Sequence, residues 1–255
     1  MLASKGLRPT SAKQLKEWGA NDDEILVGDI LTSGSGLLDR AMEGADALVI
    51  ATSAVPQIKP LSFIKVIWGK ITKADPAPRP EFTFKGGQMP EQVDWEGQRL
   101  QIDAAKKAGV RKVVLVGSMG GTQADNFLNT FGNGNILVWK RKAEKYLVDS
   151  GLNYTIVHPG GLLNDKGGER ELILDVDDKL INEQPSQSKS IPREDVAELC
   201  VQALLLKEAD NRAIDVVSKP PGEGSPTTDF AKLLTDMPHN CDYSDMEPAK
   251  KLAEA

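Results

Sequence analysis

The chain has 255 residues, of which 40% are hydrophobic, and carries a formal net charge of −6. That length and apolar share suit one large α/β domain with a real core. The acid excess, with no basic stripe to offset it, argues against a nucleic-acid partner. A membrane span is not expected, because no apolar run reaches about 18 residues.

Two cysteines, Cys200 and Cys241, are too few for a disulfide framework and fit a reducing compartment. A cytoplasmic location is therefore expected. Lys5, Arg8, Lys13 and Lys16 all precede the first acid, Glu17. Such a segment also occurs in organelle transit peptides, so a plastid location stays open if the true N-terminus lies upstream.

Taken in chain order, apolar strand-like runs alternate with helical patterns, which predicts βαβ units and a parallel sheet. Glu24 to Asp29 reads as a strand ending in a turn. Gly34-Ser35-Gly36 then reads as a loop, and Leu37 to Met42 as a short helix closed by Gly44. Ala47 to Ala51 is a second buried strand, followed by Thr52-Ser53-Ala54-Val55-Pro56.

The proline-rich stretch 57–90 reads as a long loop, of the kind that is usually functional when it sits inside a compact domain. Glu91 to Ala108 is a long helix ending at Gly109. Lys112 to Gly117 is a third strand, with Ser118-Met119-Gly120-Gly121 directly after it. A helix from Ile136 to Ser150 stops at Gly151, and Tyr154 to Val157 is the next strand, capped by His158-Pro159-Gly160-Gly161. A short strand at Leu172–Leu174, a helix at Arg193–Leu206 and a strand at Ala213–Val217 follow. The domain is expected to span 1–237, with 162–190 forming a substrate lobe and 238–255 a polar tail without a core-facing stripe.

In open α/β sheets ligands sit outside the carboxyl ends of the strands. Here those ends carry small or polar residues: Asp29, Thr52-Ser53, Ser118 and Gly160-Gly161. Small residues let a ligand approach the backbone, and Asp29 can accept from a base or ribose. Its plainer role is to cap the following turn.

Several runs resemble one family closely: Gly28-Asp29-Ile30, Glu91-Gln92-Val93-Asp94-Trp95, Gln101-Ile102-Asp103-Ala104-Ala105, Gly117-Ser118-Met119-Gly120-Gly121, Leu137 to Glu144 and Pro192 to Ala197. It is the plant and algal branch of atypical, NmrA-like short-chain dehydrogenases, and the resemblance covers roughly residues 5–235. It implies a doubly wound Rossmann-like α/β fold, NADP(H) binding and a small-molecule substrate. Under it, Asp29 and Ile30 flank the adenine, while Thr52, Ser53, Ala54 and Val55 line the central ribose and nicotinamide side. Ser118 takes the place of the active-site serine, Lys140 bonds the nicotinamide ribose, and Pro159, Gly160 and Gly161 face the nicotinamide. Arg8, after the strand-like Lys5-Gly6-Leu7, suits a ribose 2′-phosphate, which favours NADP over NAD.

Two departures from the family pattern stand out. The first is chemical. Related reductases carry a tyrosine four residues before the lysine, but here that position is Ile136, and no Tyr-x-x-x-Lys exists in the chain. A positioned general acid is worth about 10²–10⁴-fold in rate. His158 is the nearby substitute with a suitable titration range, although a lone histidine there is more often structural.

The second departure concerns the glycine-rich strand–helix turn that should hold the pyrophosphate. It is absent, and with it the first β-α unit expected at the centre of the sheet. Removing a central strand should part its two neighbours and leave ladder groups unpaired. An oxidoreductase, a non-catalytic NADP sensor or scaffold, and a truncated coenzyme-free isoform all remain open on these grounds.

Overall fold

A computed structural model of the chain describes residues 2–3, 9–31, 34–72, 80–183, 188–237 and 239–244. Arg8 and the Lys5-Gly6-Leu7 run lie outside the described residues, as does most of the expected tail. The chain opens with β1 (Leu2–Ala3), α1 (Pro9–Glu17), β2 (Leu26–Val27), α2 (Gly34–Met42) and β3 (Ala47–Ile50). It continues with β4 (Pro56–Ile58), α3 (Pro60–Thr72), β5 (Phe82–Phe84), a π-helical turn (Glu91–Gly97), α4 (Gln98–Ala108) and β6 (Lys112–Val116). Then come α5 (Ile136–Asp149), β7 (Asn153–Pro159), β8 (Gly161–Leu163), β9 (Leu172–Asp175) and α6 (Lys179–Asn182). The last elements are β10 (Ser190–Pro192), α7 (Arg193–Leu205), β11 (Arg212–Ser218) and α8 (Phe230–Thr235).

The main sheet has five strands in the order β3-β6-β7-β11-β9. Its first four strands run parallel, with Ala47 opposite Lys112, Lys112 opposite Asn153 and Thr155 opposite Arg212. β9 closes the far edge antiparallel to β11. Val113, Val114 and Leu115 are fully buried, as the continuous apolar run predicts for a parallel strand covered on both faces. The fold is thus an α/β domain with a mixed, parallel-dominated sheet covered by helices.

β2 is not part of that sheet. Leu26–Val27 pair with Leu2–Ala3 in a separate two-stranded ribbon, and β3 forms the near edge of the main sheet with Val49 exposed. Among the described residues no strand bridges the ribbon and the main sheet. The strand read as Glu24–Asp29 shrinks accordingly, because two residues of ribbon are all that finds a ladder partner.

The structure corrects three further expectations. Stretch 57–90 is not a loop: it holds the β4–β5 hairpin, with Pro56 opposite Phe84, and α3 between its strands. Pro60 opens α3 and Pro90 directly precedes the π-helical turn, positions where a missing N–H costs nothing. Gly34-Ser35-Gly36 is the first turn of α2 rather than a loop. The chain after Pro238 is not wholly a solvated tail, because Cys241 and Tyr243 are buried against the core.

Asn240 anchors this segment. Its Oδ1 accepts from the Ala213 amide at 2.6 Å, and the Cys241 amide donates to the Ala213 carbonyl at 3.2 Å. α4 ends as read, with Gly109 in the left-handed region (φ 74°) that favours glycine.

Tyr243→Ala should lower the unfolding free energy by about 3–5 kcal/mol, the range for emptying a large buried aromatic site. Urea unfolding of the full chain checks this, and an unchanged midpoint would mean that residues 239–244 do not dock on the core.

Candidate functional site

The carboxyl ends of β2 and β3 converge on a cleft of about 470 Å³ lined by Asp29, Ile30, Ser53, Ala54 and Val55, together with Lys85, Gly86 and Gln88. Asp29 and Ile30, read as adenine contacts, and Ser53, Ala54 and Val55, read as ribose contacts, line it, whereas Thr52, Ser118, Lys140 and Pro159–Gly161 do not. The Asp29 carboxylate accepts from the Leu31 amide at 3.1 Å, so it also fills the turn-capping role. The hairpin reaches the cleft because the Lys85 amide donates to the Val55 carbonyl at 3.0 Å.

The strand end itself is held from below by three polar side chains to which sequence reading assigned no role. Gln98 donates to the Thr52 carbonyl at 2.9 Å, and Gln101 donates to the Thr52 hydroxyl at 3.1 Å. The Asp94 carboxylate accepts from the Ala54 amide at 3.0 Å through one oxygen. Its other oxygen lies 2.8 Å from the Lys140 ammonium and has no other partner among the described residues.

Asp94 is fully buried and Lys140 nearly so. A carboxylate removed from water persists only when paired, so this contact fixes the lysine relative to the strand end. Asp94 sits in the π-helical turn, a distortion that recurs at functional sites because it re-aims side chains. The apolar periodicity of Glu91–Ala108 reads as one continuous helix, so only the presence of an acid among apolar neighbours hinted at this role.

Ser118 stands at the end of β6, half-buried, with its Oγ donating to the Met119 carbonyl at 3.1 Å. The loop that carries it is clasped by Asp178. One carboxylate oxygen of Asp178 accepts from the Gly120 amide at 2.5 Å, and the other accepts from the Thr122 amide at 2.9 Å. Asp177 and Asp178 both adopt left-handed backbone (φ 56° and 61°), a conformation that costs free energy and persists because this clasp over-determines it. The Asp178 amide donates to Asp215 at 2.7 Å.

His158, read as a substitute acid facing the site, is buried with both ring nitrogens engaged. Nδ1 lies 3.0 Å from Asp215 Oδ1, while Nε2 lies 3.2 Å from Glu144 Oε2 and 3.3 Å from the Tyr243 hydroxyl. Burial alone would lower its pKa, but Glu144 and the bond to Asp215 outweigh that and hold it well above the ordinary 6.5. Burial likewise raises Glu144, yet His158, Arg141 and Lys140 together pull it below 4.5. Burial dominates at Asp215 and raises it. Buried between two acids with both ring nitrogens engaged, His158 has a structural role rather than being a group open to substrate.

His158, Asp215 and Cys241 also place one donor atom each within 4.8 Å of one another, the spacing of a metal site. The Arg141 guanidinium stacks 3.9 Å over the adjoining Tyr243 ring, which places a positive charge beside this cluster. Of the three tyrosines, Tyr146 bonds Asp103, Tyr154 bonds Asn240, and Tyr243 bonds Glu144 and His158. None of these contacts replaces the missing partner of Lys140.

The turn after β7 is shaped by packing. A Cβ on Gly160 would lie 2.4 Å from the Lys189 carbonyl oxygen, so only glycine lets the β8–β10 pair sit there. Pro159 accepts from the Met119 amide at 3.2 Å, and Gly161 donates to Lys189 at 2.8 Å. These three residues therefore tie the Ser118 loop to the 162–190 segment.

Residues 7–206 match the NAD(P)H-binding family model. The chain is 52% identical to a chloroplastic protein of Arabidopsis thaliana over 92% of its own length and 67% of that protein's. It is 50% identical to sanguinarine reductase of Eschscholzia californica, over 91% of this chain and 85% of the reductase. Among solved structures, an NAD-dependent epimerase/dehydratase of Bacillus halodurans superposes with a TM-score of 0.63 at 22% identity, covering 92% of this chain and 87% of that one. That likeness speaks to the fold alone.

Glu144→Gln should cost about 3–5 kcal/mol near neutral pH, the range for breaking a buried ion pair. The Glu144 contribution is present above about 4.5 and lost as pH falls through its depressed value. The His158 contribution is full below about 6.5 and lost as pH rises through its elevated value. Urea unfolding of wild type and variant should therefore show a gap that narrows at both acid and alkaline pH, and a gap independent of pH would contradict the clamp.

Proposed function

This chain belongs to the NAD(P)H-binding family, and on that premise we propose that it is an NADP(H)-dependent oxidoreductase acting on a small organic substrate. The observation that carries this reading is the buried Asp94–Lys140 pair set directly beneath the strand end that borders the cleft. The residues present suit a dinucleotide: an acid at the end of β2, small residues at the end of β3, and a cation at the adjacent helix. Asp29 and Ile30 would hold the adenine, Thr52 to Val55 the central ribose, and Lys140 the nicotinamide ribose.

When bound, the coenzyme supplies the hydride. The chain's own part is then to orient substrate and deliver a proton. With His158 engaged by Asp215 and Glu144, the half-buried Ser118 hydroxyl is the group assigned here to place that proton. Asp94 acts as a positioning residue for Lys140. NADP over NAD is supported by the sequence position of Arg8 after Lys5-Gly6-Leu7, since arginine suits a ribose 2′-phosphate. The reductase activity named for the Eschscholzia californica relative favours reduction over epimerisation. The chloroplastic location named for the Arabidopsis thaliana relative favours a plastid over the cytoplasm.

A second reading, a non-catalytic NADP sensor, is favoured by one observation: the absence of Tyr-x-x-x-Lys. Titration calorimetry with NADPH and NADH, followed by turnover assays on a carbonyl and quinone panel, separates the two. The reductase reading expects tighter binding of NADPH, steady turnover abolished by Lys140→Ala, and a loss of about 10²–10⁴-fold in Ser118→Ala. Binding without turnover across the panel would establish the sensor, and no binding of either coenzyme would overturn both.

A further inference from the structure

Among the described residues, the outward face of α3 gathers five exposed large apolar side chains. Leu61, Ile64, Ile67, Trp68 and Ile71 are each 56–76% exposed. Positions 61, 64, 68 and 71 recur at helical spacing, with 67 beside them, so the five share one arc about 120° wide. Ser62 is buried and donates to the Lys59 carbonyl at 2.7 Å, and Val66 is half-buried. The helix thus turns its apolar stripe away from the protein that carries it.

Charge around the stripe runs against the rest of the molecule. Residues 59–73 contain Lys59, Lys65, Lys70 and Lys73 and no acid, in a chain of net charge −6. Lys59 and Lys65 share the single Glu81 carboxylate, at 3.5 and 2.8 Å, so the segment keeps a positive excess. The Lys59 and Lys65 side chains remain 52% and 68% exposed, so their charges stay open to solvent.

These features decide between occupants. A small substrate is too short to cover a face that runs about 20 Å along 13 residues. A second copy of the chain would bring two positive helices together. An anionic lipid surface takes both the aliphatic and indole side chains and the lysines, which is the pattern of a helix lying in the plane of a bilayer interface.

We propose that α3 docks the protein on anionic membrane surfaces, with Leu61, Ile64, Ile67, Trp68 and Ile71 entering the headgroup boundary and the flanking lysines meeting lipid phosphates. The helix lies on the bilayer and does not span it; no helix among the described residues is long and apolar enough to cross a membrane.

Flotation of the full chain with vesicles of phosphatidylcholine and phosphatidylglycerol (three to one), beside vesicles of phosphatidylcholine alone, tests this at physiological salt. The expected result is recovery with the anionic vesicles and at least a tenfold lower recovery with the neutral ones. A paired substitution, Ile64→Asp with Trp68→Asp, should abolish recovery. Leu205→Asp, at an equally exposed site on α7, should leave it unchanged. Because all these side chains are solvent-exposed, circular dichroism should show the three proteins equally folded. Absence of flotation, or flotation that the paired substitution does not reduce, would overturn the proposal. So would a dimer in light scattering that the paired substitution dissociates while no vesicle binds.

Discussion

A carboxylate with no access to water lies between a strand-end amide and an ammonium, and the arrangement of the candidate site follows from that constraint. Asp94 has no exposed surface. Its two oxygens must be satisfied inside the protein, and they are satisfied by the Ala54 amide at the end of β3 and by Lys140 on α5. Three elements distant in sequence are thereby tied at one point. The π-helical turn is what brings Asp94 there, since it lets Glu91–Gly97 deviate from the regular helix that continues as α4.

A second buried network shares the same helix. Arg141 and Glu144 lie one and four residues beyond Lys140, and Glu144 joins His158, Asp215 and Tyr243. Through Asp215 and Asp178 the network reaches the loop that carries Ser118. One face of α5 therefore takes part in both networks: Lys140 reaches the end of β3 through Asp94, and Glu144 reaches the Ser118 loop through His158, Asp215 and Asp178. Each network contains charges that are costly to bury alone, so each resists rearrangement more strongly than apolar packing would.

The strands of the main sheet were legible because buried parallel strands announce themselves as unbroken runs such as Lys112–Gly117 and Tyr154–Val157. Gly109 and Gly151 marked helix ends for an equally local reason, the left-handed turn that follows. α3 was hidden because its apolar residues face outward and its neighbours are prolines, which together resemble an irregular loop. The docked segment after Pro238 was hidden because two side chains, Cys241 and Tyr243, carry its burial with no period to read. The strand-end residues at the cleft were legible from topology, whereas the pairing of Asp94 with Lys140 spans 46 positions and leaves no local trace. His158 was placed correctly at a strand end, but its partners on β11, α5 and the final segment decide its role, and those contacts are tertiary.

The central claim, that Asp94 and Lys140 act as one buried unit, is tested most directly by a double-mutant cycle on unfolding free energy with Asp94→Asn, Lys140→Met and the double variant. The account predicts that each single change leaves an unpartnered charge and is costly, that the double costs less than the sum, and that the coupling is about 2–3 kcal/mol. Additivity of the two changes to within about 0.5 kcal/mol would contradict it.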